Sequence, residues 1–112
     1  MKERRTVHRL VLLGALLASA LVLAACSRGT DEAELLASAK AYVEKRDYGA
    51  AVIQLKAALQ RNPQSSEARL LLGRALLDSG DAPAAAIELR KAMELGAKAS
   101  DAQPPLARAL LV

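Results

Sequence analysis

The side chain best suited to chemistry in this 112-residue chain is the thiol of Cys26, the single cysteine. A cysteine reacts as the thiolate, which is a nucleophile and a metal ligand. One cysteine cannot form a disulfide within the chain, so its partner in any reaction is another molecule. Cys26 lies at the end of an uncharged run that begins at Leu10, and polar residues follow it. Four basic residues and one acidic residue precede the run: Lys2, Arg4, Arg5, Arg9 and Glu3.

A basic head, an apolar stretch and then small residues is the order of a secretory signal peptide, which we predict over residues 1–25. The lipobox of bacterial lipoproteins, Leu-(Ala/Ser)-(Gly/Ala)-Cys, resembles the four residues at this boundary: Leu23, Ala24, Ala25 and Cys26. The resemblance implies that the Cys26 sulfur accepts a diacylglyceryl group. It also implies that a peptidase cuts between Ala25 and Cys26 and that the new amino group is acylated. The lipid on Cys26 would then anchor the chain in a membrane.

The residue after the lipobox bears on the location of the anchored chain. In Gram-negative lipoproteins an aspartate there commonly retains the protein in the inner membrane, and Ser27 occupies the position here. The resemblance therefore favours the periplasmic face of the outer membrane. Two alternatives remain open. The uncharged residues 10–27 are at the lower length limit for a retained membrane span, or a plain signal peptide is cut elsewhere and Cys26 is incidental.

The other reactive side chains form no recognisable catalytic or metal site. His8 lies in the segment that we expect to be removed, and Asp78 and Asp81 flank a turn and have a structural interpretation. Residues 26–112 carry 12 basic and 11 acidic residues, a balance that argues against nucleic-acid binding. We therefore expect no catalytic residue, no metal, no small-molecule substrate and no cofactor beyond the covalent lipid.

The remainder of the chain repeats with a period of 34 residues. A shift by 34 places Ala39 on Gly73 and Leu55 on Leu89, and it also aligns the two intervening turns. The apolar pattern predicts four helices, over residues 31–45, 48–61, 66–79 and 82–95. Start and stop signals agree with these ranges, and they comprise caps at Thr30, Asp47, Ser65 or Ser66, and Asp81, and stops at Asn62-Pro63 and Gly96.

A helix–turn–helix unit of 34 residues resembles the tetratricopeptide repeat. Small residues at Ala39 or Gly73 and at Ala51 or Ala85 allow the two helices of one repeat to approach closely, as in that family. Arg46 departs from the usual turn glycine. The resemblance implies an all-α solenoid of antiparallel helix pairs after the signal peptide. Its predicted parts are a tether with the lipidated cysteine at 26–31, repeats at 32–65 and 66–99, and the first helix of a truncated third repeat at 100–112.

We expect the third helix to cover the second repeat through Leu106, Ala107 and Leu110. Solenoids normally end in a polar capping helix, and the closing residues PLARALLV are not polar enough for that role. We therefore interpret the chain as the N-terminal fragment of a longer array.

The resemblance implies that partners bind the concave face lined by the first helix of each repeat. Lys40, Arg74 and Arg108 recur there at the repeat period and could form a basic ladder for an acidic peptide or an anionic glycan. Alternatively, the i,i+4 neighbours Glu44 and Asp78 neutralise Lys40 and Arg74. Three leucines of the same stripe are candidates for an apolar groove or for packing between repeats: Leu36, Leu70 and Leu77.

A lipobox followed within ten residues by such repeats resembles the tetratricopeptide lipoproteins of PEP-CTERM/exosortase systems. That resemblance implies a non-enzymatic scaffold for export or sorting in the Gram-negative envelope. Two alternatives stay open. The chain belongs to another envelope machine, such as one for pilus assembly or polysaccharide secretion, or it precedes a catalytic domain beyond Val112.

Overall fold

The computed structural model describes residues 3–11 and 31–112, and these ranges contain helices and turns but no strand. Helix α1 covers residues 3–11. The other five helices are α2 (Glu32–Glu44), α3 (Tyr48–Arg61), α4 (Ser66–Asp78), α5 (Ala82–Glu94) and α6 (Ala99–Leu110). No helix within the described ranges is long and apolar enough to cross a membrane. The predicted lipidation and cleavage residues, Leu23, Ala24, Ala25 and Cys26, lie outside them.

Three of the helices begin at the caps that the sequence predicts. A side-chain oxygen of Asp47, Ser65 or Asp81 accepts the backbone N–H three residues later, at 3.1, 3.2 and 3.2 Å respectively. These bonds satisfy donors that the first helical turn leaves without an intrahelical partner. Helix α2 differs, because Asp31 occupies the cap position and its side chain makes no cap hydrogen bond. The predicted cap Thr30 lies outside the described residues.

The ends of α2, α4 and α5 share one geometry. The residue after the C-cap has a positive φ in each, at 59° for Arg46, 96° for Gly80 and 99° for Gly96. The next N–H then donates to the carbonyl five residues earlier, over 2.9, 2.8 and 2.9 Å. This is the Schellman motif, which favours glycine because a Cβ is strained at positive φ. Arg46 therefore carries a conformational cost that the two glycines avoid.

Helices α2 to α6 form a solenoid, because each packs mainly against the helices before and after it. Leu55 and Leu89, one repeat apart, are the largest fully buried side chains. Alanines with no exposed surface surround them and let the helices approach closely, among them Ala39, Ala51, Ala58, Ala85 and Ala92. The all-α solenoid that the sequence predicts is confirmed.

Helices α4 and α5 approach each other closely at Gly73. A Cβ built on Gly73 would lie 2.6 Å from Cγ and 2.8 Å from Cδ2 of Leu89, and 3.2 Å from the Leu89 backbone nitrogen. A Cβ cannot lie this close to the atoms of Leu89, so only glycine fits at position 73 when α4 and α5 have this spacing. At the equivalent position of the first repeat, Ala39 is fully buried without such a conflict.

The expected packing of α6 is wrong in register. Ala102 and Ala109 are buried and Leu106 is partly buried against α5, whereas Ala107 is exposed and Leu110 is 55% exposed. Each first helix has two sides. One side faces the preceding helix, and the other, which carries Gly73 in α4, faces the helix that follows. No described helix follows α6, so the side with Ala107 has no neighbour.

Candidate functional site

Two grooves lie between the successive first helices of the repeats. The first groove separates α2 from α4, and the second separates α4 from α6. The first is lined by Ala39, Lys40, Val43, Glu44, Leu55 and Leu71. The second is lined by Arg74, Leu77, Asp78, Pro104, Pro105 and Arg108.

The two grooves are equivalent under the 34-residue shift. Four pairs of lining residues correspond, namely Lys40 with Arg74, Val43 with Leu77, Glu44 with Asp78 and Leu71 with Pro105. Each groove thus has a cation, two apolar side chains and a carboxylate in the same arrangement. A surface repeated at this spacing suits an extended partner that runs along the array and places one segment in each groove.

The floor of each groove is apolar and its size is modest. Leu55 at the base of the first groove is fully buried, and Val43 and Leu71 beside it are half-buried. The grooves enclose about 260 and 200 Å³. Pockets for whole drug-sized ligands usually exceed about 300 Å³. These grooves therefore fit individual side chains of a protein partner better than a complete small molecule.

At the first groove the predicted ladder residue Lys40 is engaged across the groove. Its Nζ lies 2.7 Å from Oε1 of Glu67 on α4, and both side chains are about half exposed. An ion pair with this exposure contributes little to stability, about 0–1 kcal/mol. It does neutralise the cation.

At the second groove Arg74 donates a hydrogen bond to a backbone carbonyl that lacks its helical partner because of a proline. Pro104 and Pro105 lie inside α6, where a proline has no N–H to donate to the carbonyl four residues earlier. The carbonyl that Pro105 leaves free is that of Asp101. Nη2 of Arg74 donates to this oxygen over 2.8 Å. Arg74 therefore links α4 to α6 and compensates for part of the helix defect.

The third ladder residue, Arg108, points back towards α4. Its Nη2 lies 3.7 Å from Oδ1 of Asp78. Residues 31–112 contain neither a Lys40–Glu44 nor an Arg74–Asp78 ion pair, so the i,i+4 neutralisation that the sequence suggests is not what compensates these charges. Lys40 and Arg108 pair instead with carboxylates of another first helix, and Arg74 donates to a backbone carbonyl. The role of Lys40, Arg74 and Arg108 in binding a partner stays a prediction.

The three leucines named from sequence lie in different surroundings. Leu36 is buried in the core with α3 and α4, Leu70 is half-buried, and Leu77 lines the second groove. Leu36 therefore packs within the array, whereas Leu77 is available to a partner. The 34-residue shift also relates Val43 to Leu77 and Glu44 to Asp78, so these groove residues can be found from the sequence. They lie one helical turn after Lys40 and Arg74.

Two polar contacts away from the grooves join neighbouring helices. Arg69 Nη1 on α4 donates to Glu88 Oε2 on α5 over 2.8 Å, and both side chains are about four-fifths buried. Nε of Arg69 is buried without a hydrogen-bond partner. At the start of α2, hydrogen bonds from Ser65 and then Asn62 lower the pKa of the Glu32 carboxyl. The Asn62 amide donates to Glu32 over 2.9 Å.

The described residues contain no group of three or more His, Cys, Asp or Glu side chains arranged to hold a metal. No curated protein matches the chain. The sequence pattern of the tetratricopeptide repeat family matches residues 36–102, which is more than half of the chain. This match covers most of α2, all of α3 to α5 and the start of α6. The chain belongs to the tetratricopeptide repeat family.

Proposed function

We propose that this chain is a non-enzymatic scaffold of the bacterial envelope, held on a membrane by lipid on Cys26, and that it binds protein partners along its concave face. Tetratricopeptide repeats generally mediate protein–protein interactions. In this chain the binding surface is the pair of grooves between α2, α4 and α6. The observation that carries the proposal is the equivalence of the two grooves under the repeat period.

The charges around the grooves favour an apolar protein segment over a polyanion. Lys40 is paired with Glu67 and Arg108 with Asp78, while Arg74 is bonded to a backbone carbonyl. A strongly acidic ligand would have to displace these contacts. A partner that places apolar side chains on the groove floors removes apolar surface from water, at about 25 cal/mol for each Å², and leaves the contacts in place.

The anchor rests on the sequence before the repeats. A basic head, an uncharged run and the lipobox residues Leu23, Ala24, Ala25 and Cys26 follow one another in the order that lipoprotein processing requires. Ser27 favours the periplasmic face of the outer membrane. Replacement of Cys26 by Ser should leave an unprocessed precursor. Mass spectrometry of the membrane fraction should give residues 26–112 plus lipid for the parent chain, and release of a normally cut, soluble C26S chain would overturn the anchor.

Within the envelope, the specific role that we propose is export or sorting in a PEP-CTERM/exosortase system. The resemblance of the chain to the tetratricopeptide lipoproteins of those systems supports this role. The test is complementation of a strain that lacks the gene. The readouts are extracellular polysaccharide and surface delivery of proteins that carry the sorting signal. The parent chain should restore both.

A matched pair of variants tests whether that role depends on the first groove. Val43 and Val52 are both half-buried and both pack against the same core, but only Val43 lines a groove. Val43→Glu should fail to complement, whereas Val52→Glu should complement at equal expression. Equal complementation by the two variants would contradict binding in the first groove. Full function of the strain without the gene would contradict the export role.

A further inference from the structure

The second helices carry a surface that neither the core nor the grooves use. Exposed residues on α3 and α5 recur at i, i+4, i+7 and i+11, which places them on one face of each helix. This face is opposite the buried Leu55 and Leu89. We name it the outer stripe, and it consists of Gly49, Ile53, Lys56 and Gln60 on α3 and of Pro83, Ile87, Arg90 and Glu94 on α5.

The outer stripe contains two large apolar side chains that are mostly exposed to solvent. Ile53 is 67% exposed and Ile87 is 64% exposed. They occupy the same position of successive repeats. Between residues 31 and 109 no other large apolar side chain is as exposed. A single exposed isoleucine needs no explanation, but its recurrence at the repeat period indicates a surface with a common use.

A cation lies one turn after each isoleucine. Lys56 and Arg90 are exposed, and neither forms an ion pair within residues 31–112. Helix α3 has no carboxylate to neutralise Lys56. The two carboxylates of α5, Glu88 and Glu94, are paired with Arg69 and Lys91. The outer stripe therefore keeps a cation without an ion pair beside each apolar side chain.

Within the repeats, the grooves and the start of α2 lack this combination. The grooves border cations that are already bonded to oxygens of neighbouring helices. The start of α2 is acidic, with Asp31, Glu32 and Glu34 in sequence. An anionic surface would repel the start of α2 and attract the outer stripe.

The distance from the proposed lipid to the array is short. Five residues, 27–31, separate Cys26 from Glu32, where α2 begins. The six steps from Cys26 to Glu32, at about 3.3–3.6 Å each, reach roughly 22 Å at most. Helix α3 has 14 residues and is about 21 Å long at ~1.5 Å per residue. A lipid on Cys26 would thus keep the start of α2 within about one helix length of the bilayer.

We propose that the outer stripe lies on the surface of an anionic bilayer, with Ile53 and Ile87 inserted among the lipids and Lys56 and Arg90 at the headgroups. The proposal rests on the proposed lipid anchor, because the anchor supplies the proximity that four side chains cannot supply alone. It orients the molecule, since the grooves lie on the opposite helices and then face away from the membrane. A protein occupant would need a contiguous apolar patch, which two isoleucines flanked by cations do not form.

The test uses tryptophan as a depth probe, because the chain contains no tryptophan. Ile53→Trp, Ile87→Trp and the control Ala37→Trp, on the exposed side of α2, are made in the full chain and isolated from membranes. Each is placed in vesicles of equal phosphatidylglycerol and phosphatidylcholine with brominated acyl chains. Emission from positions 53 and 87 should shift to the blue and be quenched, while position 37 should not change. Equal quenching at all three positions, or quenching at none, would overturn the proposal.

A charge reversal tests the role of the cations. Each cation near an anionic surface favours contact by about fivefold, so loss of both should lower contact by ~25-fold. The double variant Lys56→Glu/Arg90→Glu also adds two carboxylates that the surface repels, so it should lower contact by at least that factor. The control Lys45→Glu/Lys98→Glu changes net charge equally outside the outer stripe and should leave the quenching at position 53 intact. Equal loss in both would show only a net-charge effect. Quenching that is insensitive to both, with concentration-dependent dimers instead, would assign the outer stripe to a second copy of the chain.

The two proposals fail separately. The mass of the isolated protein reports whether Cys26 is lipidated. If it is not, the anchor proposal fails, and the outer stripe is still tested by coupling the sole thiol to a maleimide lipid in the same vesicles. Lipidated protein without quenching at positions 53 and 87 rejects the outer stripe alone.

Discussion

Replacement of Gly73 by alanine tests the close approach of α4 and α5. The added methyl would lie 2.6 Å from Cγ of Leu89 and 3.2 Å from its backbone nitrogen. Leu89 is fully buried, so it cannot move aside, and the two helices must separate. Overpacking of this kind costs about 1–3 kcal/mol, whereas alanine is favoured over glycine within a helix by about 1 kcal/mol. We expect a net loss of up to about 2 kcal/mol.

The same substitution at Gly49 is the control. The nearest atom to a Cβ built there is Oδ1 of Asp47 at 3.9 Å, which is ordinary contact. Gly49→Ala should therefore stabilise the chain, by about 0.4–1 kcal/mol. Thermal and urea unfolding followed by far-ultraviolet circular dichroism measures both, with about 4–8 °C in Tm for each kcal/mol. In a Leu89→Ala background the penalty at Gly73 should shrink. A rise in Tm for Gly73→Ala in the parent chain would refute the spacing.

Two further predictions concern the turns and the start of α2. Arg46→Gly should raise the free energy of unfolding by about 0.5–1 kcal/mol, because Arg46 has φ 59° where the equivalent residue is Gly80; an unchanged urea midpoint would contradict the strain. The lowered pKa of Glu32 stabilises the fold above its ordinary value of 4.5, and this contribution is lost as the pH falls through the folded-state pKa. Unfolding from pH 7 to 3 should show Glu32→Gln less stable than the parent at neutral pH and the difference vanishing in acid, whereas a constant difference would contradict the sign.

The sequence predicts the helices well because their signals are local. Residues that cap or stop a helix act within four residues of the boundary, as Asp47 and Gly80 do. Four predicted helices therefore begin and end within one residue of the observed ones. The repeat period also brings Leu55 and Leu89 into equivalent buried positions, because the same packing recurs at each step.

The sequence predicts the contacts between helices less well, because they depend on where separate repeats meet. The predicted register of α6 is wrong because Ala102 and Ala107 lie on different sides of the helix, and only the side with Ala102 is buried. The bond from Arg74 to the Asp101 carbonyl needs α6 to continue through Pro105, which propensity argues against.

The repeat pattern also does not predict the ion pair between the two helices of the second repeat. Arg69 and Glu88 occupy positions that hold Leu35 and Gln54 in the first repeat. A shift by 34 residues therefore places both partners on uncharged residues. Only the packing of α4 on α5 brings the two charges together.

The central claim is that partners bind in the grooves of the first helices. Site-specific photocrosslinking in intact cells tests it most directly, with the crosslinking residue at Glu44 or Asp78 on the groove rims and at Gln60 or Glu94 on the outer stripe. All four positions are exposed, so none disturbs the core. We predict the same protein adduct from Glu44 and Asp78, lost when Val43→Glu is added to the Glu44 probe, and no such adduct from Gln60 or Glu94. Protein adducts from the outer positions alone, or from neither rim, would contradict the account.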